Sequence, residues 1–192
     1  AKKQRDDDCV TDQGLRFGEK VPVTRVDVPV PELEGPDAQA YEVISEKVQH
    51  RIAQRPASYE VIEYHTKIVK KKSSDEISQG VFPAAVLDRT MADVSLLAGL
   101  MIDKFQYHLP LYRQHQRIQQ AGITLSRSVL TTWVKRSIDL LKPIVSAQLQ
   151  NMMLSKVLAM DETPIKAGRA KGKMKTAWFW PVMTEDEIVF TY

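Results

Sequence analysis

The chain has 192 residues, 43% of them hydrophobic, and a formal net charge of +3. That is apolar enough for a packed core and excludes a disordered chain, while the longest apolar runs are too short to span a bilayer. The N-terminal AKKQRDDDCV has no apolar stretch of a signal peptide, and Cys9, the only cysteine, excludes an intrachain disulfide or a cysteine-based zinc site and fits a cytoplasmic chain.

Residues 1–36 read as an extended lead-in. Prolines 22, 29, 31 and 36 exclude a helix interior and a central strand, so the recurring valines predict edge or linker structure. Residues 37–80 are ambiguous. Ile44, Val48 and Ile52 recur every four positions, which suggests a helix, whereas SYEVIEYHTKIVKKK is β-branched and aromatic and predicts a strand. Residues 81–154 read as helical. Met91, Val94, Leu97, Leu100 or Met101, and Phe105 follow the helical period, and His108-Leu109-Pro110 ends that helix. A second helix is predicted over Leu111–Gln120, with Gly122 just past its end. A third is capped by Ser126 or Thr124 and carries Val129, Leu130, Trp133, Ile138 and Leu141 on its apolar face. Pro143 should kink or interrupt it. Residues 155–192 change to strand character. KVLAMDETPI, MKTAWFWPVM and EIVFTY are three runs, and KAGRAKGK between the first two has the glycines of a hairpin turn.

Charge is distributed unevenly. From Lys104 to Lys175 the only acids are Asp139, Asp161 and Glu162, among many lysines and arginines. Such a stretch is the footprint of a polyanion partner, or the solvated surface of helices. Three features could carry chemistry. Asp161 ends an apolar run, where a rigid strand could aim its carboxylate at Mg²⁺, or it could simply open a solvated turn with Glu162. LYRQHQRIQQAGITLSRSVLTTWVKR reads as a helix-turn-helix-like unit or as an ordinary helical hairpin. As a DNA-reading unit it would use Arg113, Arg117, Ser126, Arg127, Ser128, Thr131, Thr132 and Lys135. Lys166, Arg169, Lys171, Lys173 and Lys175 crowd the hairpin near Asp161, as phosphate contacts or as solvated turn residues. Trp178, Phe179 and Trp180 read as core in preference to base-stacking residues. His50, His65, His108 and His115 lie on separate segments without ligand spacing.

DKFQYHLPLYRQ, GITLSRSVLTTWV and MDETP, in that order, resemble the large transposase of the insertion-sequence sixty-six family, as do CVTDQGLRF and QRPASYEVIEY. The resemblance runs from about Cys9 to Tyr192. It implies a DDE-type transposase whose ribonuclease-H-like core begins at about residue 155, with Asp161 as the first catalytic and metal-binding acid. It implies Mg²⁺ at the complete site, Mg-dependent cleavage and transfer of DNA strands, and double-stranded DNA with transposon terminal repeats as partner. A homo-oligomer, accessory transposition proteins and a bacterial, nucleoid-associated location follow from the same likeness. It also favours strands over a helix for 41–53. Related proteins often carry a cysteine-rich zinc segment ahead of the helices. Here that stretch has no cysteine, so no zinc is expected. The second and third acids would lie beyond Tyr192.

The expectation is therefore an α+β chain in four parts: an extended lead-in (1–36), a small β-containing segment (37–80), a helical region (81–154) and the first strands of a catalytic core (155–192). Its function is that of the N-terminal portion of a DNA transposase. The alternatives are a non-catalytic, truncated transposase acting as a DNA-binding regulator, or a gene fragment without function.

Overall fold

The computed structural model describes residues 9–11, 14–55, 58–170 and 173–191. Helices and strands are both abundant, and the chain is α+β as expected. It divides into two compact units, Ala1–Ser137 and Ile138–Tyr192.

The first unit opens with two short strands, β1 (Cys9–Val10) and β2 (Arg16–Phe17), which pair antiparallel. Gly14 turns the chain between them at φ 78°, a conformation that favours glycine. Strand β3 (Val23–Asp27) follows, then the single helical turn α1 (Pro31–Glu34). Pro31 stands at its first position, where the missing N–H costs nothing. Two long strands, β4 (Tyr41–Arg55) and β5 (Ser58–Lys71), form an antiparallel hairpin. On the other side of β5, β3 pairs parallel and β6 (Ile77–Gln79) antiparallel, so β3 lies at an edge as its flanking prolines require.

No helix forms over Ile44, Val48 and Ile52. A spacing of four satisfies a strand face as well as a helical stripe, and long-range pairing with β5 decides the outcome. Ile44 falls at the register shift between Val43 and Ser45, and Ile52 pairs with Val61, both fully buried.

Helix α2 (Val94–Phe105) is tied to β4 at its start. The Ile52 N–H donates to the Met91 carbonyl at 2.7 Å, and the Asp93 N–H donates to the Ile52 carbonyl at 2.9 Å. Asp93 caps α2 by accepting from the Ser95 N–H. Arg51 is buried in β4, stacks 5.0 Å from the Tyr64 ring and donates to the carbonyls of Pro83 and Ala84. Those bonds hold the extended segment after β6 along the sheet.

Gly80 is packed tightly in this region. A Cβ there would lie 2.5 Å from both the Pro29 carbonyl oxygen and Thr66 Oγ1. Gly80→Ala must displace backbone, and a stability loss of about 1–3 kcal/mol is expected. Urea denaturation measures it; an unchanged midpoint would show that the backbone at Pro29 and Gly80 gives way there at no cost.

Helix α3 (Leu111–Gln120) has the expected bounds, and Gly122 follows it at φ 91°. The short strand β7 (Ile123–Thr124) pairs with β2. Helix α4 (Arg127–Met152) starts in the first unit and ends in the second, and of the kink or interruption expected at Pro143 the interruption does not occur. Its apolar face also departs from expectation. Leu130, Trp133 and Val134 are buried, whereas Ile138 and Leu141 are 37% and 44% exposed.

The second unit centres on β10 (Lys173–Met183). It pairs on one side with β11 (Ile188–Thr191) and on the other with β8 (Ala159–Met160) and β9 (Thr163–Ala170). Met152, Val182 and Val189 form a small buried cluster with Leu149 and Leu158 against it. Trp178 and Trp180 are 44% and 40% exposed, so the expected core role fails for both. The expected glycine turn is shorter than KAGRAKGK: residues 166–170 continue β9 and 173–175 open β10.

Candidate nucleic-acid interface and the Asp161 carboxylate

The α3–α4 connection positions the first candidate surface. Leu111, Gln114, His115 and Ile118 share one side of α3, and the last three are buried. Gln114 Nε2 donates to the Leu109 carbonyl at 3.0 Å, and His115 Nε2 lies 2.7 Å from the Leu125 carbonyl. A neutral or charged ring donating from Nε2 thereby fixes the residue just before the cap of α4. Sequence reasoning passed over Gln114 and set His115 aside for want of ligand spacing. Their signal was their place on the apolar stripe of α3, where a polar residue needs an internal partner.

Ser126 caps α4 by accepting from the Val129 N–H at 3.3 Å. Arg127, Ser128, Thr131, Thr132 and Lys135 are exposed together, opposite the buried Leu130, Trp133 and Val134. Thr131 and Thr132 donate to the Arg127 and Ser128 carbonyls, both at 2.9 Å. Their hydroxyl protons are committed, so Arg127 and Lys135 are the cationic donors of this face. The other two candidates lie apart from it on α3. Arg117 is ion-paired to Asp103 at 2.8 Å, joining α3 to α2. Arg113 stacks 5.7 Å from the Tyr112 ring and donates to its hydroxyl at 3.0 Å. The connection from Ala121 to Ser126 is longer than the tight turn of a helix-turn-helix, because β7 is woven into the β1–β2 sheet.

In the second unit, Asp161 occupies the gap between β8 and β9. The Asp161 N–H donates to the Pro181 carbonyl at 3.3 Å. Pro181 has no N–H to return a second bond, which explains why the ladder is interrupted between Met160 and Thr163. The apolar run before it is not buried: Val157 is 78% and Met160 60% exposed. Asp161 is exposed, and its Oδ1 accepts from the Glu162 N–H at 2.7 Å. Its carboxylate is thus presented to solvent from a strand break rather than from a buried strand end. A cleft of about 640 Å³ lies in the same unit, lined by Lys156, Val157, Ala159, Met183, Glu185 and Asp186.

The basic hairpin does not crowd Asp161. Lys166 pairs across from Thr176, donating to its hydroxyl at 2.8 Å. That is five positions along the strand, about 17 Å at 3.4 Å per residue. Lys175 is exposed on β10. Arg169 and Lys173 are placed on β9 and β10 by backbone only, and Lys171 lies outside the described residues.

Among the described residues no three His, Cys, Asp or Glu side chains converge as a metal site would require. Two histidines are nonetheless brought together by the β4–β5 register. His50 lies 3.1 Å from Glu63, and His65 lies 3.3 Å from Glu63 and 3.2 Å from Glu46. Each ring lies within hydrogen-bond distance of a carboxylate. Among the described residues no helix is long and apolar enough to cross a membrane.

No solved structure matches the chain. Three relatives come from Sinorhizobium fredii (strain NBRC 101917 / NGR234). The chain is 35% identical to uncharacterized protein y4jD over 53% of its own length and 20% of that protein's. It is 29% identical to uncharacterized protein y4hP over 74% of its length and 26% of that protein's, and 25% identical to uncharacterized protein y4qI over 75% and 27%. The chain thus spans about a quarter or less of the relatives it matches. The model of the transposase IS66 family matches residues 89–192, from just before α2 to the last strand. The chain belongs to the IS66 transposase family.

Proposed function

We propose that this chain is the DNA-engaging N-terminal portion of a transposase, gripping duplex phosphates with the exposed face of α4. The observation that carries the reading is the pairing of Arg127 and Lys135 with exposed hydroxyl residues on a helix whose opposite face is locked into the core. Cations on a rigid helix meet a phosphate backbone at fixed spacing. Lys166 and Lys175 on the β9–β10 hairpin add a second basic element. The partner in this reading is double-stranded DNA bearing the terminal repeats.

In the same reading Asp161 is the first acid of a DDE centre with a ribonuclease-H-like core. The described residues do not supply a full site for Mg²⁺ pairs: Asp161 has only its chain neighbour Glu162 beside it as a further candidate. Asp161 would contribute one oxygen ligand, with the remaining acids coming from elsewhere.

Fluorescence anisotropy with a mixed-sequence duplex tests the interface. Affinity should fall steeply with salt. The double variant Arg127→Ala/Lys135→Ala should weaken binding and reduce the log–log salt slope by about two, one contact for each side chain. Binding that ignores salt, or an unchanged slope in the variant, would refute the assignment.

A further inference from the structure

We propose that the β9–β10 hairpin carries a platform for an unpaired DNA strand, whose bases stack on Trp178 and Trp180. This rests on the reading of the chain as DNA-binding and adds a site for single strands that the exposed face of α4 does not include.

Strand alternation builds the platform. Thr176, Trp178, Trp180 and Val182 fall on one face of β10. At one end of that face Val182 is buried in the cluster with Met152 and Val189. The cover stops there, and both indoles are exposed. Large rings exposed together, rather than singly, mark an interaction surface. The two are about 7 Å apart along the strand, so neighbouring bases of one DNA strand can each reach a ring. Trp180 adjoins Pro181, whose carbonyl accepts from the Asp161 N–H, so the rings stand at the Asp161 end of the hairpin.

Charge selects the occupant. From Thr163 to Met183 the sequence holds Lys166, Arg169, Lys171, Lys173 and Lys175 and no acid. Lys166 shares the face of the rings, since it pairs across from Thr176 and donates to its hydroxyl at 2.8 Å. That bond uses one of three ammonium protons and leaves two to reach a phosphate. A second copy of the same face would set five cations against five. A polyanion whose bases have π faces matches the rings and the cations at once. Within a duplex those faces are covered by the stack, so the platform takes an unpaired strand. Its sequence preference is weak, because every base has a π face.

The test titrates the chain with a single-stranded thymine oligonucleotide and with an abasic one of the same length, which keeps the phosphates and lacks the bases. The chain has three tryptophans, and the third, Trp133, is buried, so quenching reports the exposed pair. The thymine strand should bind about tenfold tighter than the abasic strand, from base stacking, and should quench the solvent-exposed tryptophan emission. The double variant Trp178→Leu/Trp180→Leu should erase that difference and leave duplex affinity unchanged, whereas Lys166→Ala should weaken both single strands alike. Equal affinity of the unmodified chain for the two strands overturns the platform whatever the variants do. Tryptophan emission that shifts with protein concentration in the absence of DNA places a second copy on this face and overturns it as well. If the thymine strand binds with quenching and no duplex binds, the α4 reading falls and the platform stands. If the duplex binds and the thymine strand does not, the platform falls and the α4 reading stands.

Discussion

Trp133→Ala is expected to cost the first unit about 3–5 kcal/mol, the range for removing a large buried aromatic. Trp133 is 4% exposed in the main cluster with Leu130, Val134 and Ile118, where α4 meets the rest of the unit. Domains of ordinary stability have only about 5–15 kcal/mol to lose, so much of the population should unfold under mild denaturant. The urea midpoint should fall sharply with its slope unchanged. Ile144→Ala supplies the contrast. Ile144 lies on the same helix but is 65% exposed, and its replacement should move the midpoint little. Similar losses for both variants would show that the second half of α4 is covered in solution.

The second large effect is all or none. Incubated with terminal-repeat DNA and Mg²⁺ or Mn²⁺, the 192-residue chain should produce no strand cleavage. Two-metal phosphoryl transfer needs carboxylates converging from several elements to place both ions against the scissile phosphate. Among the described residues Asp161 and Glu162 are adjacent in the chain, and no third acid joins them. Asp161 Oδ1 already accepts from the Glu162 N–H, and two neighbours on one segment do not converge from several elements as the two ions require. Duplex binding should survive under the same conditions. Cleavage that disappears in Asp161→Ala would overturn this expectation and show a site completed in some other way, for instance between copies of the chain. Cleavage that persists in Asp161→Ala would place the chemistry elsewhere.

Local signals were well written into the sequence. The bounds of α3, the left-handed Gly122 and the Ser126 cap all follow from a few neighbouring residues, because each answers to backbone chemistry within one turn. What depended on distant partners was harder to read. Ile44, Val48 and Ile52 suit either period, and only β5 decides between them. Ile138, Leu141, Trp178 and Trp180 are apolar and were expected inside, yet burial requires a surface to pack against, which periodicity does not report. His50 and His65 are fifteen positions apart in sequence and meet only through the hairpin register and the shared Glu63. Arg117 was expected at the DNA surface as part of the helix-turn-helix-like unit, and its ion pair to Asp103 on the preceding helix could not be read from local pattern.

The proline opposite Asp161 sets a mechanical property of that position. Residues flanking a strand are clamped when each of a facing pair gives and receives a bond, which leaves their peptide planes no freedom to turn. Asp161 and Pro181 share one bond in place of two. The sheet closes normally at Met160 and again at Thr163. Between those clamps a single bond joins the Asp161 peptide to β10, while the strands on either side stay in register. Breaking that one bond would release the Asp161 peptide while the pairs at Met160 and Thr163 stay made.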